Sequence, residues 1–326
     1  MRIIITEFMD EAAVHALARR FDVRYEPDLV DRRDDLLAAL EDAEAVIVRN
    51  RTQVNAEMLA VAKRLKVVGR LGVGLDNIDV AACRDRGIEV IPATGANARA
   101  VAEYVIATAL MLLRGAYAAS AEVAAGAWPR TAYSNGLEAE QRTLGIVGFG
   151  GIGQLTATLA QGIGMRVAAF DPMLPADSGV WKQTGVQRME LDALLSAADV
   201  VTLHIPLTPD TRNLFDSARI ASMKAGSILI NTARGGIVDE AALAGALKSG
   251  QLRGAAIDVF DQEPVKAAGA LADAPNLILT PHIAGLTQEA NERVSSVVAE
   301  RVAAVLDGAV NGAVNGSVNG LVQGGR

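Results

Sequence analysis

Three short stretches late in the chain carry residue types that could do acid–base chemistry on a small anion. "INTARGG" contains Arg234, "DVFDQEP" contains Asp258 and Glu263, and "TPHIAG" contains His282. The chain has three histidines, and His282 stands directly behind Pro281 at the end of an apolar run. Imidazole titrates near neutrality and can move a hydroxyl proton. A carboxylate on its far nitrogen would fix the tautomer and favour the charged ring. A guanidinium can grip a carboxylate through two parallel N–H bonds. Each residue also has a plainer reading: Arg234 as an ion pair, Glu263 as a surface acid, His282 as a buried, hydrogen-bonded residue. His204 follows an apolar run and reads as structural.

A second constellation lies upstream. "LGIVGFGGIG" places Gly148, Gly150 and Gly153 after a strand-like run and before a helical pattern. The first glycine permits a tight turn, the second lets backbone approach a pyrophosphate, and the third packs helix on strand. The amides of Gly151 and Ile152, at the helix start, would face the phosphates. Asp171 ends the next apolar run, "RVAAF", where it can accept hydrogen bonds from a ribose diol. Pro172 and Met173 follow it and offer nothing to a 2′-phosphate, so NAD is favoured over NADP. A glycine turn beside a solvated aspartate is the alternative, and the joint presence of strand, helix and acid argues against it. No metal site is read from the sequence.

These residues need elements to hold them. "RIIIT", "FDVRYE", "AEAVIVRN", "LKVVGRLG" and "IEVIPA" read as strands separated by helical patterns. Such alternation implies a parallel sheet with right-handed crossovers. An alanine-rich helical stretch follows, from about Ala98 to Ala125. The alternation then resumes through "RTLGIVGFG", "MRVAAFDP", "ADVVTLHIP", "GSILINTA", "GAAIDVF" and "NLILTPH", with a last helix over about Gln288 to Leu306. The expected fold is α/β with two doubly wound parallel-sheet domains. The first covers 1–96 and is completed by 287–308; the second, 97–286, is inserted into it. A hinge near Ala96 and Leu286 would leave a cleft. Arg234, Asp258, Glu263 and His282 would share the carboxyl edge of one sheet with the glycine-rich loop, where ligands bind in such sheets. Residues 309–326, with their repeated V-N-G, read as a flexible tail.

Bulk properties limit the partners. A chain of 326 residues suits two domains better than one core. The net charge of −7 argues against a nucleic-acid partner, which needs a basic footprint. The lone cysteine, Cys83, cannot form an internal disulfide, which fits a reducing cytoplasm. The N-terminus lacks a signal peptide's apolar centre. The run "YVIATALMLL" is stopped by Arg114, short of the roughly 20 residues that span a bilayer. A soluble cytoplasmic protein with no membrane partner is expected.

At this point the sequence resembles the D-isomer-specific 2-hydroxyacid dehydrogenases over nearly all its length, the tail excepted. The segments that carry the likeness are "GRLGVGLDNID", "ATGANARAVAEY", "LGIVGFGGIG", "LHIPLTPDTRNL", "INTARGGIVDE", "AAIDVFDQEP" and "TPHIAG", in that order. The resemblance implies a flavodoxin-like substrate domain and an inserted Rossmann NAD domain. It implies Arg234 as binder of the substrate carboxylate, His282 as acid/base, and Glu263 as its partner. It also implies Asp258 at the nicotinamide carboxamide, backbone contacts to the cofactor at Ile205, Thr232, Ala233 and Gly285, and Val73 in a cleft-facing loop, with Gly74 beside it. It implies a homodimer, to which the alanine-rich helix contributes.

Two subfamilies are similar in the N-terminal half. In 3-phosphoglycerate dehydrogenases, arginines placed like Arg49 ("IVRN") and Arg70 ("VGRLG") hold the phosphate, and one placed like Arg130 ("WPR") can reach a neighbouring subunit. The wording "TEFMD", "VRNRTQV" and "ATGAN" looks still more like sulfolactate dehydrogenases. Both substrates are three-carbon 2-hydroxy acids with a second anion at C3. The S label of sulfolactate describes a D-like arrangement, because sulfur raises the priority of C3. Surface ion pairing is the alternative for Arg49 and Arg70. Two rival classes remain: a non-catalytic NAD-sensing corepressor on the same fold, and a methyltransferase, which would leave the Arg, Glu and His motifs unexplained.

Overall fold

The computed structural model describes residues 1–266 and 269–308. The V-N-G tail, 309–326, lies outside the described residues. The chain divides into two compact units, Met1–Asn97 together with the chain from Gln288, and Ala98–Thr287.

The first unit is a five-stranded parallel sheet: β1 (Arg2–Ile5), β2 (Asp22–Tyr25), β3 (Ala45–Val48), β4 (Val67–Arg70) and β5 (Glu89–Pro92). The strand order β2-β1-β3-β4-β5 is that of a flavodoxin-like sheet. Its central strands are continuous apolar runs because helices cover both faces. Ile3, Ile5, Ala45 and Ile47 face one apolar cluster, and Ile4, Val46 and Val48 face the other. The helix Gln288–Leu306 packs on the first of these faces. A Cβ at Gly69 would sit 2.7 Å from Val298 and 2.8 Å from Val302, so helix and strand approach closely there.

The second unit is a seven-stranded parallel sheet: β6 (Thr143–Val147), β7 (Arg166–Phe170), β8 (Gln187–Arg188), β9 (Val200–Leu203), β10 (Ser227–Asn231), β11 (Leu252–Ile257) and β12 (Leu277–Leu279). The order β12-β11-β10-β9-β6-β7-β8 reverses direction at β6, the switch point of a dinucleotide-binding sheet. Six of these strands are those expected; the two-residue β8 is an addition too short and too polar to show in the sequence. The expected helical stretch from Ala98 to Ala125 needs correction. The first helix is Ala98–Arg114, and Gly115 ends it in the left-handed region at φ +67°. A 3-10 turn, Ala116–Ala119, and a short helix, Ser120–Ala124, follow after a bend of 70°. Among the described residues no single helix is long and apolar enough to cross a membrane.

Candidate active site

Register pairs fix which residues share the carboxyl edge of the second sheet. Val147 pairs with Phe170 and Leu203, Asn231 with Leu203 and Ile257, and Ile257 with Leu279. The residues just beyond these positions are Gly148, Asp171, Ile205, Thr232 to Arg234, Asp258 and His282. One edge therefore carries the candidate acid–base residues and the glycine-rich loop.

The histidine is held from two sides. Its Nδ1 lies 2.8 Å from Glu263 Oε2, while Glu263 Oε1 accepts from the Phe260 amide at 3.0 Å. An ionised carboxylate only accepts, so Nδ1 carries the proton and Nε2 of the neutral ring is the free base. The imidazole is 44% exposed, which leaves Nε2 able to meet a substrate. The backbone of His282 is in the left-handed region, φ +57°, a conformation with a steric cost for a non-glycine residue. Asp258 holds it there. Its carbonyl accepts the His282 amide at 2.8 Å, and its carboxylate takes the amides of Ile283 and Ala284 at 2.8 Å each. The Thr280 hydroxyl donates to the same carboxylate at 2.6 Å and bonds Tyr104 Oη at 2.6 Å. Asp258 is buried, with 1% exposure, so this network anchors the loop from inside.

Arg234 is presented by a loop with little freedom. Asn231 holds it, with its side chain accepting from the Ala233 amide at 3.0 Å and donating to the Arg234 carbonyl at 3.0 Å. Arg234 Nη1 donates to the Ala233 carbonyl at 2.6 Å. A Cβ at Gly235 would fall 1.8 Å from the Phe260 carbonyl oxygen, so only glycine lets the Arg234 and Glu263 loops touch.

The glycine-rich loop runs from the end of β6 into the helix Gly151–Gly162. Gly148 lies at φ +94°, and a Cβ there would meet the His204 carbonyl oxygen at 2.4 Å. A Cβ on Gly153 would meet the Gly148 carbonyl oxygen at 2.4 Å, whereas Gly150 and Gly151 have nothing within 4 Å of theirs. That opening lies at the start of the helix Gly151–Gly162, where backbone amides point outward. Asp171 accepts from the Phe149 amide at 2.8 Å and the Met173 amide at 2.9 Å, which ties the glycine loop to the end of β7. Thr232 Oγ1 is buried and without a hydrogen-bond partner, an unmet polar atom a cofactor would satisfy. Ile205 and Gly285 lie partly buried on the same loops. These residues fit a dinucleotide. His204 is different: burial pushes its imidazole pKa down to about 4, and its Nε2 bonds the Thr202 hydroxyl at 3.1 Å.

In the first unit, Val48 of β3 pairs with Arg70 of β4, so Arg49 and Arg70 emerge at one strand edge. Their side chains have different partners. Arg49 Nη2 donates to Asn291 at 2.8 Å and Nη1 to the Phe8 carbonyl at 3.4 Å, with the guanidinium over the Phe8 ring. Arg70 Nη1 turns back to the Leu71 carbonyl at 3.0 Å. Val73 is exposed and Gly74 partly so, in the loop after β4. Arg130, in the second unit, is exposed beyond the helix Ser120–Ala124. Thr280, Tyr104, Asn291 and Glu7 were not singled out from sequence as site residues; each acts through partners distant along the chain.

A family model described as "D-isomer specific 2-hydroxyacid dehydrogenase, NAD binding domain" matches residues 106–284, more than half the chain. The chain belongs to that family. It is an NAD-dependent oxidoreductase of D-2-hydroxy acids. Among its dehydrogenase relatives, an (S)-sulfolactate dehydrogenase of Chromohalobacter salexigens is 52% identical, with 93% of this chain and 98% of that protein covered. A D-3-phosphoglycerate dehydrogenase of Mycobacterium bovis is 41% identical over 94% of this chain, which spans 57% of that longer protein. Among solved structures, the TT0316 protein of Thermus thermophilus superposes with a TM-score of 0.86 at 37% identity, covering 94% of this chain and 97% of that one. The NAD complex of a Staphylococcus aureus formate dehydrogenase gives 0.81 at 29% identity, with 96% and 97% covered.

Proposed function

We propose that this dehydrogenase interconverts a three-carbon D-configured 2-hydroxy acid and its 2-oxo acid, the substrate carrying a second anion at C3, and that the substrate is (S)-sulfolactate. One observation carries the C3 anion: the Val48–Arg70 pairing puts Arg49 and Arg70 at adjacent strand ends. The likeness to an (S)-sulfolactate dehydrogenase supports sulfonate over the phosphate of 3-phosphoglycerate.

The reaction follows from the roles proposed. Arg234 grips the C1 carboxylate. His282 Nε2 takes the proton of the C2 hydroxyl as C2–H departs with its electron pair, so C2–OH becomes C2=O. When bound, NAD supplies the acceptor for that hydride. Glu263 stabilises the imidazolium formed. Gly148, Gly150, Gly151, Ile152 and Gly153 would hold the pyrophosphate, and Asp171 the ribose hydroxyls. Ile205, Thr232, Ala233, Asp258 and Gly285 would line the nicotinamide end. In the reverse direction the protonated His282 returns the proton. The same proposal has a homodimer working in the cytoplasm. Apolar side chains left exposed at Met111, Tyr117, Val123 and Trp128 support a partner copy, whose Arg130 would reach the neighbouring site. The single buried thiol of Cys83 fits a reducing compartment.

The test is a substrate comparison. Charge-assisted hydrogen bonds contribute about 1.5–3 kcal/mol, or roughly 10- to 150-fold in binding. Arg49→Ala and Arg70→Ala should each lower kcat/KM for (S)-sulfolactate by that factor and leave D-lactate, which has no C3 anion, nearly unchanged. Equal loss on both substrates, or loss on neither, would reject the dianion reading. Higher wild-type kcat/KM for D-3-phosphoglycerate than for (S)-sulfolactate would transfer the reading to the phosphate.

A further inference from the structure

Glu7 is a buried carboxylate that the reaction does not use. It is 4% exposed and lies two residues beyond β1. Its Oε1 accepts the amides of Arg49 at 2.9 Å and Thr52 at 3.0 Å; its Oε2 accepts those of Asn50 at 3.3 Å and Arg51 at 3.0 Å. Four consecutive amides of one loop thus converge on one side chain. The same loop is tied by Thr6 Oγ1 to Thr52 Oγ1 at 2.8 Å and by Asn77 Nδ2 to the Thr52 carbonyl at 2.7 Å. Its first residue is Arg49. The next residue after Glu7 is Phe8, whose ring and carbonyl support the Arg49 guanidinium.

We infer that Glu7 is the positioning residue of the C3-anion subsite, acting on substrate only through the Arg49–Thr52 loop; this rests on the dianion reading above. The argument is one of cost. A buried carboxylate is expensive unless its lone pairs are filled. Here four neutral amides fill them, and the cost is met at one loop. Burial alone would push the Glu7 carboxyl up, but the amides of Thr52, Arg49 and Arg51 outweigh it and hold the pKa below the usual value. Burial also draws the Arg49 guanidinium down, and the Glu7 charge opposes that. Glu7 therefore sets the backbone from which Arg49 projects and offsets the burial of its charge. Two of the five Arg49 N–H donors are used by Phe8 and Asn291, which tether the guanidinium.

Glu7→Gln breaks this geometry without changing volume. In either amide orientation its NH₂ faces two backbone N–H groups, and two loop amides lose their acceptor. The measured quantity is the ratio of kcat/KM for (S)-sulfolactate to that for D-lactate, with KM and kcat separated. Glu7→Gln should lower the ratio about tenfold, mainly through the sulfolactate KM, because one charge-assisted contact is misplaced. In an Arg49→Ala background the same substitution should change the ratio less than about twofold, since coupled residues are non-additive. An unchanged ratio in Glu7→Gln, or an equal drop in both backgrounds, overturns the inference. If Glu7→Gln does not fold, Glu7→Asp carries the same cycle: a smaller drop supports the inference and no drop overturns it. If Arg49→Ala itself leaves the ratio unchanged, the dianion reading fails first and Glu7 with it.

Discussion

Asp258 and Glu7 stand at the carboxyl edges of two different parallel sheets, and each is a buried carboxylate that gathers the backbone of a loop. Asp258 takes two amides and a hydroxyl and holds His282 in a left-handed backbone conformation. Glu7 takes four amides from a run beginning with Arg49. At the second sheet the loop residue is the proposed acid–base group, so positional error would reach every substrate. At the first sheet the loop residue is proposed to meet only the C3 anion. With the roles proposed, the same physical device would serve chemistry in one region and recognition in the other, and substitutions should separate the two.

The largest effect belongs to the acid–base pair. His282→Ala should lower kcat by about 10²- to 10⁴-fold, the usual worth of a general acid/base. The loss should be equal for (S)-sulfolactate and D-lactate, because the C2 hydroxyl is common to both. Glu263→Gln should cost less, since an amide oxygen can still accept from Nδ1 while the charge that stabilises the imidazolium formed in the reaction is lost. A substrate-dependent loss in His282→Ala, or an unchanged kcat in Glu263→Gln, would count against this pair.

Asp258→Asn comes next. An asparagine keeps an acceptor for one side of the loop and turns a donor toward the other, so the amide of Ala284 or the groups at Oδ1 lose their bond. Held at φ +57° by fewer bonds, His282 should relax, at a gain of the order of 1–3 kcal/mol of stored strain. We expect kcat to fall about tenfold for all substrates, since a 1.4 kcal/mol misalignment already costs about that much. The sulfolactate-to-lactate ratio should stay constant, the opposite of the Glu7→Gln result. A fall in that ratio for Asp258→Asn would erase the distinction between the two carboxylates.

The contrast also shows what a sequence exposes. The glycine loop, Asp171, Arg234, Glu263 and His282 are legible because each sits at a strand end inside a local pattern. Local spacing then suffices to bring them to one edge. Glu7 has no such pattern around it. Its partners lie 42 to 45 residues away, and only the pairing of β1 with β3 brings them together. Tyr104 is 176 residues from Thr280, so its part in anchoring the His282 loop is likewise a product of the fold. The break at Gly115 was obscured by alanine, which favours helix on both sides of it. The different partners of Arg49 and Arg70, Phe8 and Asn291 for the one and the Leu71 carbonyl for the other, are not revealed by a shared edge alone.

The smallest expected effect concerns the second histidine of the catalytic edge. His204 follows β9 as His282 follows β12, yet burial pushes its pKa down to about 4 instead of presenting it to substrate. Its unfolded value is about 6.5. Between these values the unfolded chain binds more protons, so stability rises with pH through this window. The contribution is fully present above about pH 6.5 and is lost as pH falls toward 4. Between pH 7 and pH 5 the loss amounts to at most about 2 kcal/mol. His204→Asn removes the titrating ring. Urea unfolding at the two pH values should therefore show wild type losing up to about 2 kcal/mol more than the variant, with kcat at pH 7 changed only a few-fold. An equal pH loss in both proteins would mean that His204 is not held neutral by the fold, and a large fall in kcat would mean that the edge uses two working histidines, not one.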